Sequence, residues 1–374
     1  MDLCFIDLVS NNICLSITDS LLLNKGRKYF SFDDKGIESL NEFIAENGFI
    51  YFGYDIQKLF ALVIEKFNVY FDFEYFDILR LYRAYYGIKE EPSIEDLSYD
   101  YEIELNKSHP SLSMFSFLLE DSGLSSLDFI NGDYSDCKLN ARKSGTYQFL
   151  LNQESAYKDK AISSLLEKGI KGVFVFDFEC SNSDMGIGKI CELGAIYLDN
   201  KLENPKEIEI LINPESPFKL GSDISLFYSQ SQYTSSPNLK NSISKFISYF
   251  EDDSILKIGY AAKNDISFLV TDLNRYGLKF KQFVCFDVQP LADEELDSSR
   301  DISLGEANMK IVGDLGNNRE HRSVDDAKLT LRLFKYFLSN QELTGFLASN
   351  KNCFKSSYNL LELKNNKLVK VAYW

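Results

Sequence analysis

Histidine is almost missing from this chain: its 374 residues include two, His109 and His321. A multi-histidine metal centre is thereby excluded. Any divalent cation must be held by carboxylates, whose hard oxygens suit Mg2+ or Mn2+. The seven cysteines are odd in number, widely spaced and without a Cys-x-x-Cys pair. Neither a disulfide framework nor a zinc knuckle is indicated. No apolar run approaches the ~18–20 residues of a membrane span. The opening MDLCFIDLVS lacks the basic start and cleavage site of a signal peptide. The expectation is a soluble, cytoplasmic protein with no membrane partner. Basic residues are outnumbered 56 to 40, for a formal net charge of −16. That argues against coating duplex DNA by charge neutralisation. It leaves room for an enzyme that grips one strand end, because bound cations supply positive charge at the contact.

What is present points to two α/β halves. At ~100–200 residues per domain the length accommodates two, and 45% hydrophobic residues let each half bury its own core. In the first half, Cys4–Leu8 and Ile13–Ile17 flank Asn11-Asn12 as a β-hairpin. A strand follows near Lys28–Phe32, then a helix over Ile37–Ala45, a strand over Phe49–Phe52 and a helix over Ile56–Phe67. Segment 106–135 gives no clear periodicity. A charged helix, Ala156–Glu167, leads to Gly169-Ile170-Lys171-Gly172, where we place the junction. The second half restarts with the apolar strand Val173–Phe176. Strands are expected at Ile190–Leu198, Glu207–Ile212, Ile255–Ile258 and Val284–Phe286. Helices are expected at Leu239–Phe250, Ile266–Arg275 and Ser323–Leu338. Ser303-x-x-Glu306 has the form of a capping box. The tail Leu360–Trp374 suggests two strands around Asn365-Asn366.

Three carboxylate stations stand out in the second half. Asp177 and Glu179 are two residues apart at the end of an apolar strand, so their side chains share a face. Asp265 follows a strand and opens a helix, where the helix dipole favours an acid. Asp326 starts the last helix, five positions after His321, the lone histidine of this half. A histidine beside a carboxylate-rich site can act as general base. Each feature alone has a bland reading: a solvated strand end, a dipole partner, a helix cap. Together they suit two-metal phosphodiester hydrolysis, in which carboxylates converge on cations ~3.5–4 Å apart.

The motifs VFVFDFEC, KICELGAIYLDN, IGYAAKNDISFL, CFDVQPLA with ISLGEANMKI, and HRSVDDAKLTLRLFKYFL resemble those of the DEDDh 3′→5′ exonucleases. That family has an RNase H-like fold and includes proofreading subunits, RNase T and oligoribonuclease. The resemblance spans roughly residues 171–340 and places Glu192 at the glutamate of the second segment. It implies that Asp177, Glu179, Asp265 and Asp326 hold two Mg2+ (or Mn2+), and that His321 takes the proton from the attacking water. Nucleoside 5′-monophosphates would leave from a single-stranded DNA or RNA 3′ end. Cys180 and Ser181 stand where the family often has Thr-Thr or Thr-Ser, and Tyr260-Ala261 where it often has His-Asn. These four positions are expected to contact the terminal nucleotide.

In the first half, IYFGYDIQKLFALV, EYFDILRLYRAYYGI and SIEDL resemble the 3′→5′ exonuclease domain of family A DNA polymerases. Asp7 is kept there, but Val9, Leu59 and Asn140 stand at ligand positions. The expectation is an α/β protein of two tandem RNase H-like domains, each a mixed sheet flanked by helices. Residues 1–168 form an inactive copy, residues 169–343 the exonuclease, and residues 344–374 an extension. The first domain is expected to position substrate or to contact a polymerase or repair partner. The competing reading is a non-catalytic nucleic-acid-binding or polymerase-accessory protein.

Overall fold

The computed structural model describes residues 2–358 apart from 89–91, 101–102, 104, 108, 133, 183–186, 221–224 and 317–320. The strands expected in the tail lie outside these residues. Contacts divide the chain into two compact units, Met1–Gln153 and Glu154–Leu361. The division lies ahead of the Gly169–Gly172 junction, within a helix spanning Ala141–Lys168. Ile162 and Leu165 from the later part of that helix belong to the second unit's core.

The first unit is built on a six-stranded sheet: β1 (Asp2–Val9), β2 (Asn12–Asp19), β3 (Asn24–Ser31), β4 (Ile50–Gly53), β5 (Glu74–Asp77) and β6 (Lys138–Asn140), in the order β3-β2-β1-β4-β5-β6. The first three strands are an antiparallel meander, β1, β4 and β5 run parallel, and β6 returns antiparallel. The second unit repeats this plan with β7 (Gly172–Cys180), β8 (Ile190–Asp199), β9 (Lys206–Leu211), β10 (Ile255–Gly259), β11 (Val284–Asp287) and β12 (Phe354–Ser356). Its order is β12-β11-β10-β7-β8-β9, with the same senses at each pairing. Both sheets are mixed and helix-flanked, the RNase H-like arrangement the sequence implies.

Alternation along β7 sorts its side chains onto two faces. Val173 and Val175 join Ala327, Leu333 and Phe334 of the helix Ser323–Leu338. Phe174, Phe176 and Phe178 join Ile266, Leu269 and Leu273 of the helix Ala262–Arg275. Asp177 and Glu179 share the parity of the valines, so the sheet directs them toward the start of the Ser323–Leu338 helix.

Some expectations needed correction. The helix expected over Leu239–Phe250 is broken into Leu239–Ser242, Ile243–Lys245 and Ile247–Glu251. The break falls at Phe246 (φ −141°), and it lets Phe246 and Phe250 both bury against Phe178. Segment 106–135 contains the helices Pro110–Ser122 and Ser126–Asn131. Asn140 ends β6, three strands away from β1 in the sheet order, where it bonds Asp72 and caps Lys143. The helix that begins beside Asp7 is Pro110–Ser122, through the Ser111 N–H donated to Asp7 at 3.0 Å. Asn140 is therefore not the counterpart of Asp326.

Candidate active site

The carboxylates converge because the start of the Ser323–Leu338 helix packs directly on β7 and β8. β7 delivers Asp177 and Glu179, which lie opposite Gly194 and Glu192 of β8. A Cβ on Gly194 would lie 1.9 Å from the Val324 nitrogen and 2.0 Å from the Ser323 carbonyl carbon. Only a glycine lets the helix start sit directly on the strand. One turn into that helix, Asp326 faces the strand acids. Ligand oxygens of Asp177, Glu179 and Asp326 all lie within 4.8 Å of one another.

His321 precedes the helix in a left-handed conformation (φ 63°). Its N–H donates to Asp326 Oδ2 at 3.0 Å, and its carbonyl accepts from the Phe227 N–H at 3.3 Å. Arg322 anchors the same turn by a two-pronged bond to Glu209 at 2.8 and 3.0 Å. Asp177, Glu179, His321 and Asp326 line one cleft of about 360 Å3 with Phe178, Tyr260 and Ser303–Gly305.

Asp265 sits behind this group. It occupies the first turn of the Ala262–Arg275 helix, is buried, and accepts the Phe178 N–H at 3.3 Å. The helix starts tightly because Gly259 carries no side chain. A Cβ there would lie 2.9 Å from that of Ala262, and Ala261 makes the turn at φ 51°.

Of the four residues expected at the terminal nucleotide, Tyr260 lines the cleft, with its hydroxyl donated to the Ile302 carbonyl at 2.7 Å. Ser181 is fully buried and bonds Ser216 and the Lys189 N–H. Cys180 and Ala261 are half-buried and outside the lining of that cleft.

Charge is heavily one-sided. Burial pushes the Asp177 carboxyl well above the usual carboxylate range, and Asp265, Asp326, Glu179 and Glu192 add to the push. Glu179 is raised by burial and then by Asp326, Glu192 and Asp265. Asp265 is raised by burial, against the pull of the Phe178 N–H. Among the described residues, the charged neighbours that raise Asp177 and Glu179 most are acids. An all-oxygen donor set crowded with like charge fits a hard divalent cation.

Two further buried acids were legible only as letters in motifs. Glu192 accepts from the Ser323 N–H and hydroxyl and from the Tyr233 hydroxyl. Asp287 ends β11 beside Gly259 and accepts the Gln289 N–H at 3.1 Å. An acid inside an apolar strand signals burial with a partner, but the partner itself cannot be read from spacing.

Residues 174–334 match the exonuclease family model RNase_T. A search of curated proteins returns no match. Among solved structures, the nuclease domain of 3′hExo, a DEDDh family member, bound to rAMP is similar at 19% identity over 46% of this chain and 95% of that one, with a TM-score of 0.40. A 3′-exonuclease with 3′-end specific recognition of histone mRNA stem-loop is similar at 17% identity over 46% and 84%, with a TM-score of 0.39. E. coli Exonuclease I in complex with a dA16 oligonucleotide is similar at 13% identity, with a TM-score of 0.37; the match covers 48% of this chain and 43% of that one.

Two outcomes follow from this geometry. A carboxylate whose folded pKa is raised binds protons more tightly in the native state, so stability falls as pH climbs from about 4, the unfolded value. In chelator at pH 8, Asp177→Asn should therefore melt higher than wild type. The difference should shrink toward pH 5, and Mn2+ should stabilise wild type more than the variant. A lower melting temperature for the variant at pH 8 would contradict the like-charge account. Gly194→Ala should displace the helix start and reduce nuclease turnover by about 100-fold, the scale of a 1 Å misplacement. Turnover within threefold of wild type would show that the close approach is not needed.

Proposed function

We propose that the second unit, whose sheet takes its edge strand from Phe354–Ser356, beyond the expected bound at residue 343, is a metal-dependent 3′→5′ exonuclease that releases nucleoside 5′-monophosphates from the 3′ end of a single DNA or RNA strand. The observation that carries this reading is the convergence of Asp177, Glu179 and Asp326, with His321 beside them, in one cleft of a region that matches an exonuclease family. Asp177, Glu179 and Asp326 would hold two Mg2+ (or Mn2+), with Asp265 completing the negative field from behind. Bound there, divalent cations lower the pKa of a water and stabilise charge developing on the phosphate.

The chain's own groups supply the rest. His321 is held at the cleft by its backbone bond to Asp326, so its imidazole can accept the proton of the attacking water. The cleft volume of about 360 Å3 is at the small end of ligand sites, ~300–1,000 Å3, and suits one terminal nucleotide. Tyr260 and Leu304 line its wall, where they would flank the sugar or base.

We propose that the first unit is an inactive copy. Asp7 occupies the register position of Asp177, but Val9 stands at that of Glu179 and Leu59 at that of Asp265. Two divalent cations would find too few hard oxygens there. Its proposed role is to position substrate or to contact a polymerase or repair partner, within the cytoplasm.

The test is release of mononucleotides from 3′-labelled single-stranded DNA, duplex DNA and RNA, run side by side with and without Mg2+ or Mn2+. Wild type should release label from the 3′ end only with cation, and Asp177→Asn should release none. His321→Ala should lose ~10²–10⁴-fold in rate, the usual contribution of a general base, while still being stabilised by Mn2+. Release by Asp177→Asn at the wild-type rate would reject the site. Absence of cation-dependent release by wild type would favour the binding or accessory role instead.

A further inference from the structure

Glu192 is fully buried on β8, directly across from Glu179. Its Oε1 accepts the Ser323 N–H at 3.0 Å and the Ser323 hydroxyl at 2.6 Å. Its Oε2 accepts the Tyr233 hydroxyl at 2.7 Å. All three partners donate, so the acid is engaged as an acceptor, the role of the ionised form. Ser323 is the first residue of the helix that carries Asp326, and His321 lies two residues before it. The helix start is thus pinned twice: by the missing side chain at Gly194 and by the carboxylate of Glu192, placed where a helix dipole favours negative charge.

Comparison of the two sheets separates this role from a general need of the fold. The pairings Phe5–Phe52–Phe76 and Val175–Ile258–Phe286 put Asp7 in register with Asp177, and Asp77 with Asp287. Asp55 and Ala261, at matching positions after Gly53 and Gly259, share the left-handed turn at φ 48° and 51°. In the same frame Val9 matches Glu179, Asn12 matches Glu192, and Cys14 matches Gly194. The first sheet pairs its strands with Asn12 and Cys14 in place, so this topology does not require an acid or a glycine there. Asp77 and Asp287, by contrast, recur in both sheets, and each accepts a backbone N–H of the following turn, Arg80 and Gln289 respectively. The acid at the end of β5 or β11 belongs to the fold. The Glu192–Gly194 pair accompanies the ligand set.

We infer that Glu192, held by Tyr233, is a positioning residue for the cation site, fixing the helix start that brings Asp326 and His321 to Asp177 and Glu179. This rests on the proposed exonuclease reading. Glu192 itself is not among the residues that line the cleft; it acts through Ser323. Burial raises the Glu192 carboxyl, and the bonds from Ser323 and Tyr233 oppose that rise. Groups that orient metal ligands typically change metal affinity or activity by ~10–100-fold when altered.

The full chain tests it, with Mn2+ alone as the probe. Calorimetric titration would compare wild type, Glu192→Gln and Tyr233→Phe, after circular dichroism confirms each fold. Gln is nearly isosteric and can keep one Ser323 bond, so it removes charge with little change of shape. Glu192→Gln should weaken Mn2+ binding by ~10–100-fold and Tyr233→Phe by a smaller factor. At saturating Mn2+, the KM for a 3′-labelled single strand should stay within threefold of wild type in both variants, while kcat falls. If Glu192→Gln does not fold, Tyr233→Phe decides alone. Mn2+ affinity and kcat within twofold of wild type in the folded variants would overturn the inference while leaving the exonuclease reading intact. A wild type that binds no Mn2+ would overturn both.

Discussion

Mutual repulsion among buried carboxylates is the constraint around which the second unit is organised. At an effective dielectric of ~20, two like charges 4 Å apart repel by ~4 kcal/mol. Asp177, Glu179 and Asp326 approach to within 4.8 Å, with Asp265 and Glu192 buried close behind. Left to themselves these groups would spread apart or take up protons. The fold prevents the first. β7 fixes the spacing of two acids, the Gly194 contact and Glu192 fix the helix that carries the third, and the Phe178 N–H holds Asp265. What remains is a rigid concentration of negative charge opening on a cleft, an arrangement that favours multivalent cations over protons at neutral pH.

The first unit shows the same architecture without that constraint. Its one acid in register with the site, Asp7, is stabilised singly: the Ser111 N–H donates to it, and burial raises it to about 6. With Val9 and Leu59 at the neighbouring stations no acid cluster forms among the described residues, and the strand opposite carries Cys14 where the second sheet has Gly194. On the proposed reading, chemistry and fold are separable within one chain. Features common to both sheets, such as the left-handed turn after Gly53 and Gly259 and the acids Asp77 and Asp287, serve the scaffold. Features confined to the second sheet serve the site.

Much of this was legible in the sequence, for identifiable reasons. The strand Val173–Phe176 announces itself as an apolar run, and the helix Ser323–Leu338 shows its periodicity, although its N-cap is Arg322 and the Ser323 hydroxyl bonds Glu192 instead of capping. The acids at strand ends and helix starts are visible because an acid that ends an apolar run is conspicuous. What stayed hidden depends on distant partners. Glu192 is bonded to residues 41 and 131 positions away, and nothing near it in the chain reveals that. The helix Ala141–Lys168 begins earlier than its charged stretch suggests, and Ser144, Gly145 and Thr146, poor helix formers, hide that start in the sequence. Gly145 is there for packing: a Cβ would lie 2.6 Å from that of Phe60. The break at Phe246 likewise follows from burial of two aromatic rings, which local periodicity does not encode.

The most direct test of the account is calorimetric titration of the full chain with Mn2+ at pH 7, repeated in two buffers of different ionisation enthalpy. If the acids are crowded as described, burial and like charges raise their affinity for protons, and protons they hold must leave when a cation binds. The predicted result is two Mn2+ bound per chain with net proton release, seen as a buffer-dependent heat. Absence of binding, or binding with the same heat in both buffers, would contradict it.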